Sequence, residues 1–367
     1  MDFSKLVTPG VRDLQPYLPG KPSEEVEREL GLENVVKLAS NESPLGPGPL
    51  ARQAIARAAE DVSRYPDANG YYLKRKLSEL HGVDETQLTL GNGSNDVLDV
   101  IARCFVLDKH EVVLAQHSFV VFGLSANAVS AAPVIVPAAN WGHDLEAMAN
   151  AITQRTRLVY IANPNNPTGT WNTADELEQF FSRVPPEVIV VVDQAYAEYV
   201  ALDDYADCIG WLARYPNLVV TRTFSKVHGL AALRIGYAVS HPDIADYMNR
   251  VRHPFNVNSI GLAAAEAALE DAEHIEKSVA LNREGMAFLT DWLDARGLGY
   301  IPSIGNFVTV DVGQDAGPVF QALLRHGVIV RPVANYGLPN HLRISIGLPE
   351  ENHRCVAAFE RVLGEMS

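Results

Sequence analysis

Apolar positions along this chain follow two periods. Between about residues 49 and 239, stretches with apolar side chains every three or four positions (50–62, 70–81, 94–107) alternate with short β-branched runs. The runs predict strands at 88–90, 112–115, 134–136, 158–162, 188–192, 218–221 and 235–239. Val188-Ile189-Val190-Val191-Val192 has no polar alternation, as expected of a strand covered on both faces. Helix and strand alternating over this span predict a mostly parallel sheet with helices on both sides. Beyond residue 258 an Ala-rich helical region continues to about 296. Strand-like 307–312, a helix at 319–326, strand-like 328–331 and 342–346, and a last helix complete a smaller α+β unit. Before residue 45 the chain is rich in Pro and Gly, with a helical patch at 23–30 for which Ser23 reads as the N-cap. The expected division is an N-terminal arm (1–45), a large domain (46–258) and a small C-terminal domain (259–367). No internal repeat is evident.

Composition narrows the partners. The chain has 367 residues, 47% hydrophobic and 20% charged, values ordinary for a soluble globular protein with a large core. Its net charge of −15 argues against nucleic acid or an anionic membrane, which are bound by basic surfaces. Cys104, Cys208 and Cys355 are scattered, odd in number and without metal spacing, and Cys104 falls at an apolar helix position expected to bury a free thiol. No apolar run is long enough to span a bilayer and the first residues carry no secretory segment, so the expected compartment is the cytoplasm.

Candidate chemistry concentrates in a few segments. Lys226 stands in Thr223-Phe224-Ser225-Lys226-Val227-His228-Gly229-Leu230, with Arg234 close behind, just after a strand, where α/β sheets offer their ligand crevice. A lone lysine would more often be a solvated surface residue. Hydroxyls at Thr223 and Ser225 and the Arg234 guanidinium suit a phosphate dianion, and a desolvated amine can condense with a carbonyl and carry a proton. Asp193 ends a buried strand, where a carboxylate is costly unless paired. A cap or an ion pair is the ordinary explanation; a pyridinium N–H is the one that nearby Tyr196 and upstream Asn166 favour. Asn163-Pro164-Asn165-Asn166-Pro167-Thr168-Gly169 is a turn by composition, and its place after a strand puts it at the sheet's carboxyl edge. Gly91-Asn92-Gly93-Ser94-Asn95 opens a helix whose free N–H groups attract phosphate, and Ser94 also reads as a plain N-cap. Asp96 would oppose an anion there, so it is expected to point outward or onto a structural partner. Arg343, in Leu342-Arg343-Ile344-Ser345-Ile346, points opposite to its apolar neighbours.

An amine, a strand-end carboxylate, an amide, a phenol and an anion cradle are what pyridoxal phosphate (PLP) needs at once. On these segments the chain resembles the fold type I PLP-dependent aminotransferases, and closely the histidinol-phosphate aminotransferase family, from Tyr17 to Gly347. The resemblance implies an α/β fold: a large domain with a mixed, mostly parallel seven-stranded sheet, plus a smaller α+β C-terminal domain. It implies catalytic roles for Lys226, Asp193 and Tyr196, and cofactor contacts from Gly93, Ser94, Asn95, Phe119, Asn166, Thr223, Ser225 and Arg234. Tyr65 matches a tyrosine that reaches the cofactor phosphate of the neighbouring subunit, which implies a homodimer with a shared active site. Arg343 matches the residue that grips the substrate α-carboxylate. Arg331 and Tyr17 match positions at the substrate phosphate, and Asn41 one near the substrate. His228 replaces a tyrosine common in relatives and reads as packing. The reaction implied is transamination of histidinol phosphate with 2-oxoglutarate, in histidine biosynthesis. Arg331-Pro332 and Tyr336-Gly337-Leu338-Pro339 also occur in relatives suspected of using phenylalanine or tyrosine, which is the alternative donor. A decarboxylase of the same fold would share the cofactor residues. A PLP-sensing transcription regulator would need a DNA-binding domain, for which the arm is too short.

Overall fold

The computed structural model describes residues 2–12, 14–16 and 20–366. Among them the strands are β1 Val36–Lys37, β2 Leu88–Gly91, β3 Glu111–Ala115, β4 Ala132–Val136, β5 Thr156–Ala162, β6 Ile189–Asp193, β7 Leu218–Thr223, β8 Gly236–Ser240, β9 Tyr300–Ile301, β10 Phe307–Asp311, β11 Val328–Ile329, β12 Arg331–Pro332 and β13 His341–Ser345. The largest sheet has seven strands in the order β2-β8-β7-β6-β5-β3-β4. β8 is antiparallel to β2 and β7, and the other pairings are parallel. The β-branched runs at the centre of this sheet form strands because their side chains find a covered face on either side, whereas the edge strand β4 leaves Ile135 exposed. Val190 and Val192 join one core with Leu177 and Phe180, whereas Ile189 and Val191 join the opposite core with Leu98 and Tyr160. β5, β6 and β7 therefore end side by side at one edge, on Ala162, Asp193 and Thr223.

The second sheet, β12-β13-β10-β9, is antiparallel. Leu342 and Ile344 of β13 enter its core with Leu289 and Leu293 from the helix Ala272–Arg296. Strand alternation turns Arg343 and Ser345 the other way, toward the edge of the large sheet. The arm is tied to this unit, since β1 pairs in parallel with β11 through Val36 opposite Val328.

Local details depart from expectation. The Ala-rich region is two helices, Ser259–Ala268 and Ala272–Arg296. The first packs on the helix Pro49–Ala58 and adds Ala264, Ala265 and Ala268 to the large core. The chain breaks between them where Asp271 accepts a hydrogen bond from the Leu50 N–H, at the start of that neighbouring helix. Ser23 is the first residue of its helix and Pro22 the N-cap, without a side-chain cap bond. Ser94 likewise begins the helix Ser94–Phe105 and Gly93 caps it, because the cap takes a φ of 80°, open to glycine and strained for serine. Cys104 is half-buried instead of buried, beside the Tyr247 carbonyl, while Cys208 and Cys355 are buried.

Candidate active site

The loops after β5, β6 and β7 and the start of the helix Ser94–Phe105 enclose a cavity of about 140 Å³. It brings together Ser94, Asn95, Phe119, Asn166, Asp193, Tyr196, Thr223, Ser225, Lys226 and Arg234, residues far apart in the chain. The turn between Asn163 and Gly169 is held in shape by the Asn165 N–H on the Thr170 carbonyl and the Gly169 N–H on the Asn165 carbonyl, each 2.8 Å.

At one wall the Lys226 amine donates to the Ser40 carbonyl at 3.1 Å and lies 5.5 Å from the centre of the Tyr196 ring. Loss of water around the ammonium, then the nearby Arg343, push its pKa down to about 7, with Glu42 and Asp193 opposing. Lys226 is thus available as a neutral amine near physiological pH. Asp193, at the end of β6, is pushed up to about 6 by burial, against the Thr221 hydroxyl and the Ala195 N–H, which favour the carboxylate. Burial also raises the Tyr196 phenol to about 12, so it keeps its proton.

The opposite end is cationic. Arg234 Nη1 donates to Ser225 Oγ at 3.3 Å and to the Ala231 carbonyl at 3.1 Å. The Ser225 N–H donates to Thr223 Oγ1 at 3.2 Å. Gly93 is pressed against this group: a Cβ there would lie 2.3 Å from Arg234 Nη2. Asp96, in the first turn of this helix, is held on structural partners, accepting from the Asn92 N–H and from Asn256 Nδ2, each 2.8 Å. Guanidinium, hydroxyls and unpaired helix N–H groups in one place form an anion cradle.

From the small sheet Arg343 reaches over, its Nη1 donating to Asn166 Oδ1 and its Nη2 to the Ala39 carbonyl. Arg331 is the direct cross-strand partner of Arg343, so both side chains rise from one face. A Cβ on Gly20 would lie 3.8 Å from Arg331 Nη1, which puts the arm beside this arginine. Asn41 is buried and donates through Nδ2 to the Tyr196 hydroxyl at 3.0 Å. Tyr65 is not in the crevice: it is 82% exposed and stacks on Phe255 at 4.6 Å. Tyr17 lies outside the described residues. His228 is buried against Phe224, 4.8 Å between ring centres, in agreement with packing. Thr221 and Ser345, which touch Asp193 and Asn41, were not singled out from sequence, since only strand register puts them there.

A larger hollow, about 840 Å³, lies beyond the turn and is lined by Trp141, Trp171 and His143. Three of the charged groups lining it serve other contacts: Asp144 and Glu176 accept from N–H groups at helix starts and Arg183 pairs with Asn150. The smaller crevice, where a neutral amine, a carboxylate and an anion cradle converge, is the candidate active site.

Residues 33–359 match the family model for aminotransferase class I and II. The chain is 56% identical over 364 residues to histidinol-phosphate aminotransferase 2 of Pseudomonas aeruginosa, covering 99% of both chains. It is 54% identical over 360 residues to histidinol-phosphate aminotransferase 1 of Idiomarina loihiensis, covering 98% of both. The crystal structure of histidinol-phosphate aminotransferase from Sinorhizobium meliloti in complex with pyridoxal-5'-phosphate superposes with a TM-score of 0.90, at 32% identity and 98% coverage of both chains. With this fold and these relatives, the chain belongs to the class I and II aminotransferases and, within them, to the histidinol-phosphate aminotransferase family.

Proposed function

We propose that the protein is a PLP-dependent aminotransferase that moves the amino group of histidinol phosphate to 2-oxoglutarate. The observation that carries this reading is the convergence of the Lys226 amine, the Asp193 carboxyl and the Arg234 cradle in one cavity. These residues fit the cofactor: an amine that is neutral near pH 7 for its carbonyl, a carboxylate at a strand end for its ring nitrogen, and a cationic, hydroxyl-lined pocket for its phosphate. Gly93, Ser94 and Asn95 supply the helix start, Thr223 and Ser225 the hydroxyls, Phe119 an aromatic wall, and Asn166 and Tyr196 the groups for the ring oxygen.

Bound there, PLP supplies a carbonyl for the substrate nitrogen and a ring that draws electrons from the substrate Cα. Lys226 Nζ, as a neutral amine, would take up the substrate Cα proton, hold it and give it back, so that it ends each half-reaction as it began. Asp193, at the strand end, would hold a negative charge where the ring nitrogen binds. Histidinol phosphate carries its phosphate where an amino acid carries a carboxylate, so Arg343 faces a phosphate in one half-reaction and a carboxylate in the other. Two arginines directly opposite each other on neighbouring strands would repel, and an anion between them relieves that repulsion. Arg331, with Asn41 from the arm, completes this side of the pocket.

The same reading includes a homodimer in which Tyr65 of each copy completes the cradle of the other; the exposed Tyr65–Phe255 pair supports it. Free cysteines fit a reducing cytoplasm. The division into arm (1–45), large (46–258) and small (259–367) units also belongs to the proposal. The packing of the helix Ser259–Ala268 on Pro49–Ala58 argues for moving the last boundary beyond Ala268.

The test is borohydride reduction of the purified protein with PLP, peptide mapping of the adduct, and steady-state assay with histidinol phosphate and 2-oxoglutarate. We expect the label on Lys226 and no turnover in Lys226→Ala. A label elsewhere, or an alanine variant that turns over normally, would overturn the assignment.

A further inference from the structure

Asn41 sits behind Tyr196 in a closed set of hydrogen bonds. Its backbone N–H donates to Ser345 Oγ at 2.8 Å, Ser345 Oγ donates to Asn41 Oδ1 at 2.9 Å, and Asn41 Nδ2 donates to the Tyr196 hydroxyl at 3.0 Å. All three residues are buried, and Asn306 Nδ2 on the Asn41 carbonyl at 3.0 Å fixes the backbone between them. Asn41 has a φ of 54°, a left-handed conformation that asparagine tolerates better than most side chains.

The directions follow from counting protons. A serine hydroxyl has one hydrogen. Ser345 Oγ already accepts from the Asn41 N–H, and its own hydrogen goes to the Asn41 side-chain oxygen. With the amide oxygen toward Ser345 that buried hydrogen has an acceptor and the nitrogen end faces Tyr196, whereas the reversed amide would leave it without one among the described contacts. An amide nitrogen only donates, so the phenol oxygen accepts from it and the phenol hydrogen is left for the cavity that Tyr196 lines. With the amide reversed, Tyr196 would give its hydrogen to Asn41 and offer the cavity none.

We propose that Ser345 is a positioning residue that acts through Asn41 to make Tyr196 a hydrogen-bond donor into the cavity. This rests on the PLP reading above: the acceptor is the ionised ring oxygen of the cofactor. Ser345 belongs to β13 with Arg343, so one strand of the small sheet both grips the substrate and sets the polarity of the phenol. The groups acting on the phenol from neighbouring elements are Arg343, Asp193 and Tyr336, with the Lys226 amine over its ring.

A donor to the ionised oxygen stabilises that form and lowers the pH at which the lysine–cofactor chromophore titrates. The experiment is an absorbance pH titration of the holoprotein for wild type, Ser345→Ala, Asn41→Ala and the double variant. We expect Ser345→Ala to move the midpoint upward by about one pH unit, roughly one hydrogen bond's worth. Asn41→Ala should move it in the same direction, and the double variant should match Asn41→Ala alone, the non-additivity of residues acting in series. A wild-type midpoint in Ser345→Ala, or shifts that add in the double variant, overturns the proposal. If Ser345→Ala does not accumulate as folded protein, Ser345→Cys, a poorer donor, carries the same cycle. Absence of any cofactor chromophore in the wild type overturns the reading of the crevice itself, an outcome distinct from both.

Discussion

Thr221 Oγ1 donates to Asp193 Oδ1 at 2.9 Å across the parallel strands β7 and β6, where the two residues are direct register partners. Both are buried, so the carboxylate draws on this hydroxyl and not on bulk water. Thr221→Val keeps the shape and removes the donor, which costs about 1–3 kcal/mol when a buried charged acceptor loses a partner. The expected outcome is PLP held roughly 5–150-fold more weakly in equilibrium titration of the apoprotein, since about 1.4 kcal/mol is a factor of ten. Thr221→Ser should restore most of the affinity. A valine variant that binds as tightly as wild type would show that the hydroxyl contributes nothing to the ring-nitrogen contact.

Gly93 offers a test of the cradle. Alanine there meets two penalties, a φ of 80° and a Cβ 2.3 Å from Arg234 Nη2. We expect Gly93→Ala to lose about 1–3 kcal/mol of stability in denaturant unfolding, from the strained backbone alone. It should also bind PLP more weakly, because Arg234 must move. Gly123, inside the helix Val120–Ala128 with open space around its would-be Cβ, is the control. Gly123→Ala should gain up to about 1 kcal/mol, as glycine-to-alanine changes do in helix interiors.

The large sheet is legible in the sequence because its central strands are buried on both faces and stand out as unbroken apolar, β-branched runs. Each predicted run overlaps an observed strand, with ends off by a residue or two. The crevice is legible because Lys226, Asp193 and Asn166 follow three of those strands, and parallel strands deliver their C-terminal ends to one edge. Register is not legible. Nothing local to Thr221 says that it faces Asp193, and nothing near Pro332 says that Arg331 faces Arg343. The break after Ala268 is hidden for a similar reason. Leu269-Glu270-Asp271 has no helix breaker, and the chain turns there as Asp271 binds the start of a helix more than two hundred residues earlier.

Lys226 makes the apoprotein's stability depend on pH in a definite direction. Its pKa falls from 10.5 in the unfolded chain to about 7 in the fold. Between those values the unfolded state holds a proton that the folded state lacks, so this group's contribution to stability rises with pH and is lost as pH falls toward 7. Lys226→Met removes the ionisable group. The gain in apoprotein melting temperature over wild type should therefore be largest at pH 7 and below, and shrink steadily toward pH 10. Thermal unfolding across that range checks it, and a gain that is flat or grows with pH would contradict a depressed lysine pKa.

If the proposed function holds, Arg331 is the residue that should tell the two donors apart. Phenylalanine and tyrosine present one anionic group, which Arg343 alone can take. Histidinol phosphate presents a dianion, large enough to engage both members of the Arg331–Arg343 cross-strand pair. Arg331→Gln keeps a polar side chain of similar reach and removes the charge. A hydrogen bond to a charged group contributes about 1.5–3 kcal/mol, so the loss expected for histidinol phosphate is about 10–100-fold. Because 2-oxoglutarate also brings a second carboxylate, the donor half-reaction must be isolated, by following the cofactor absorbance in a single turnover with each donor. The expected result is a fall in kcat/KM of that size for histidinol phosphate and a change under threefold for phenylalanine. Equal losses for both donors would mean that Arg331 supports the pocket without reading the phosphate. A wild-type preference for tyrosine of tenfold or more would assign the pair to carboxylate recognition instead.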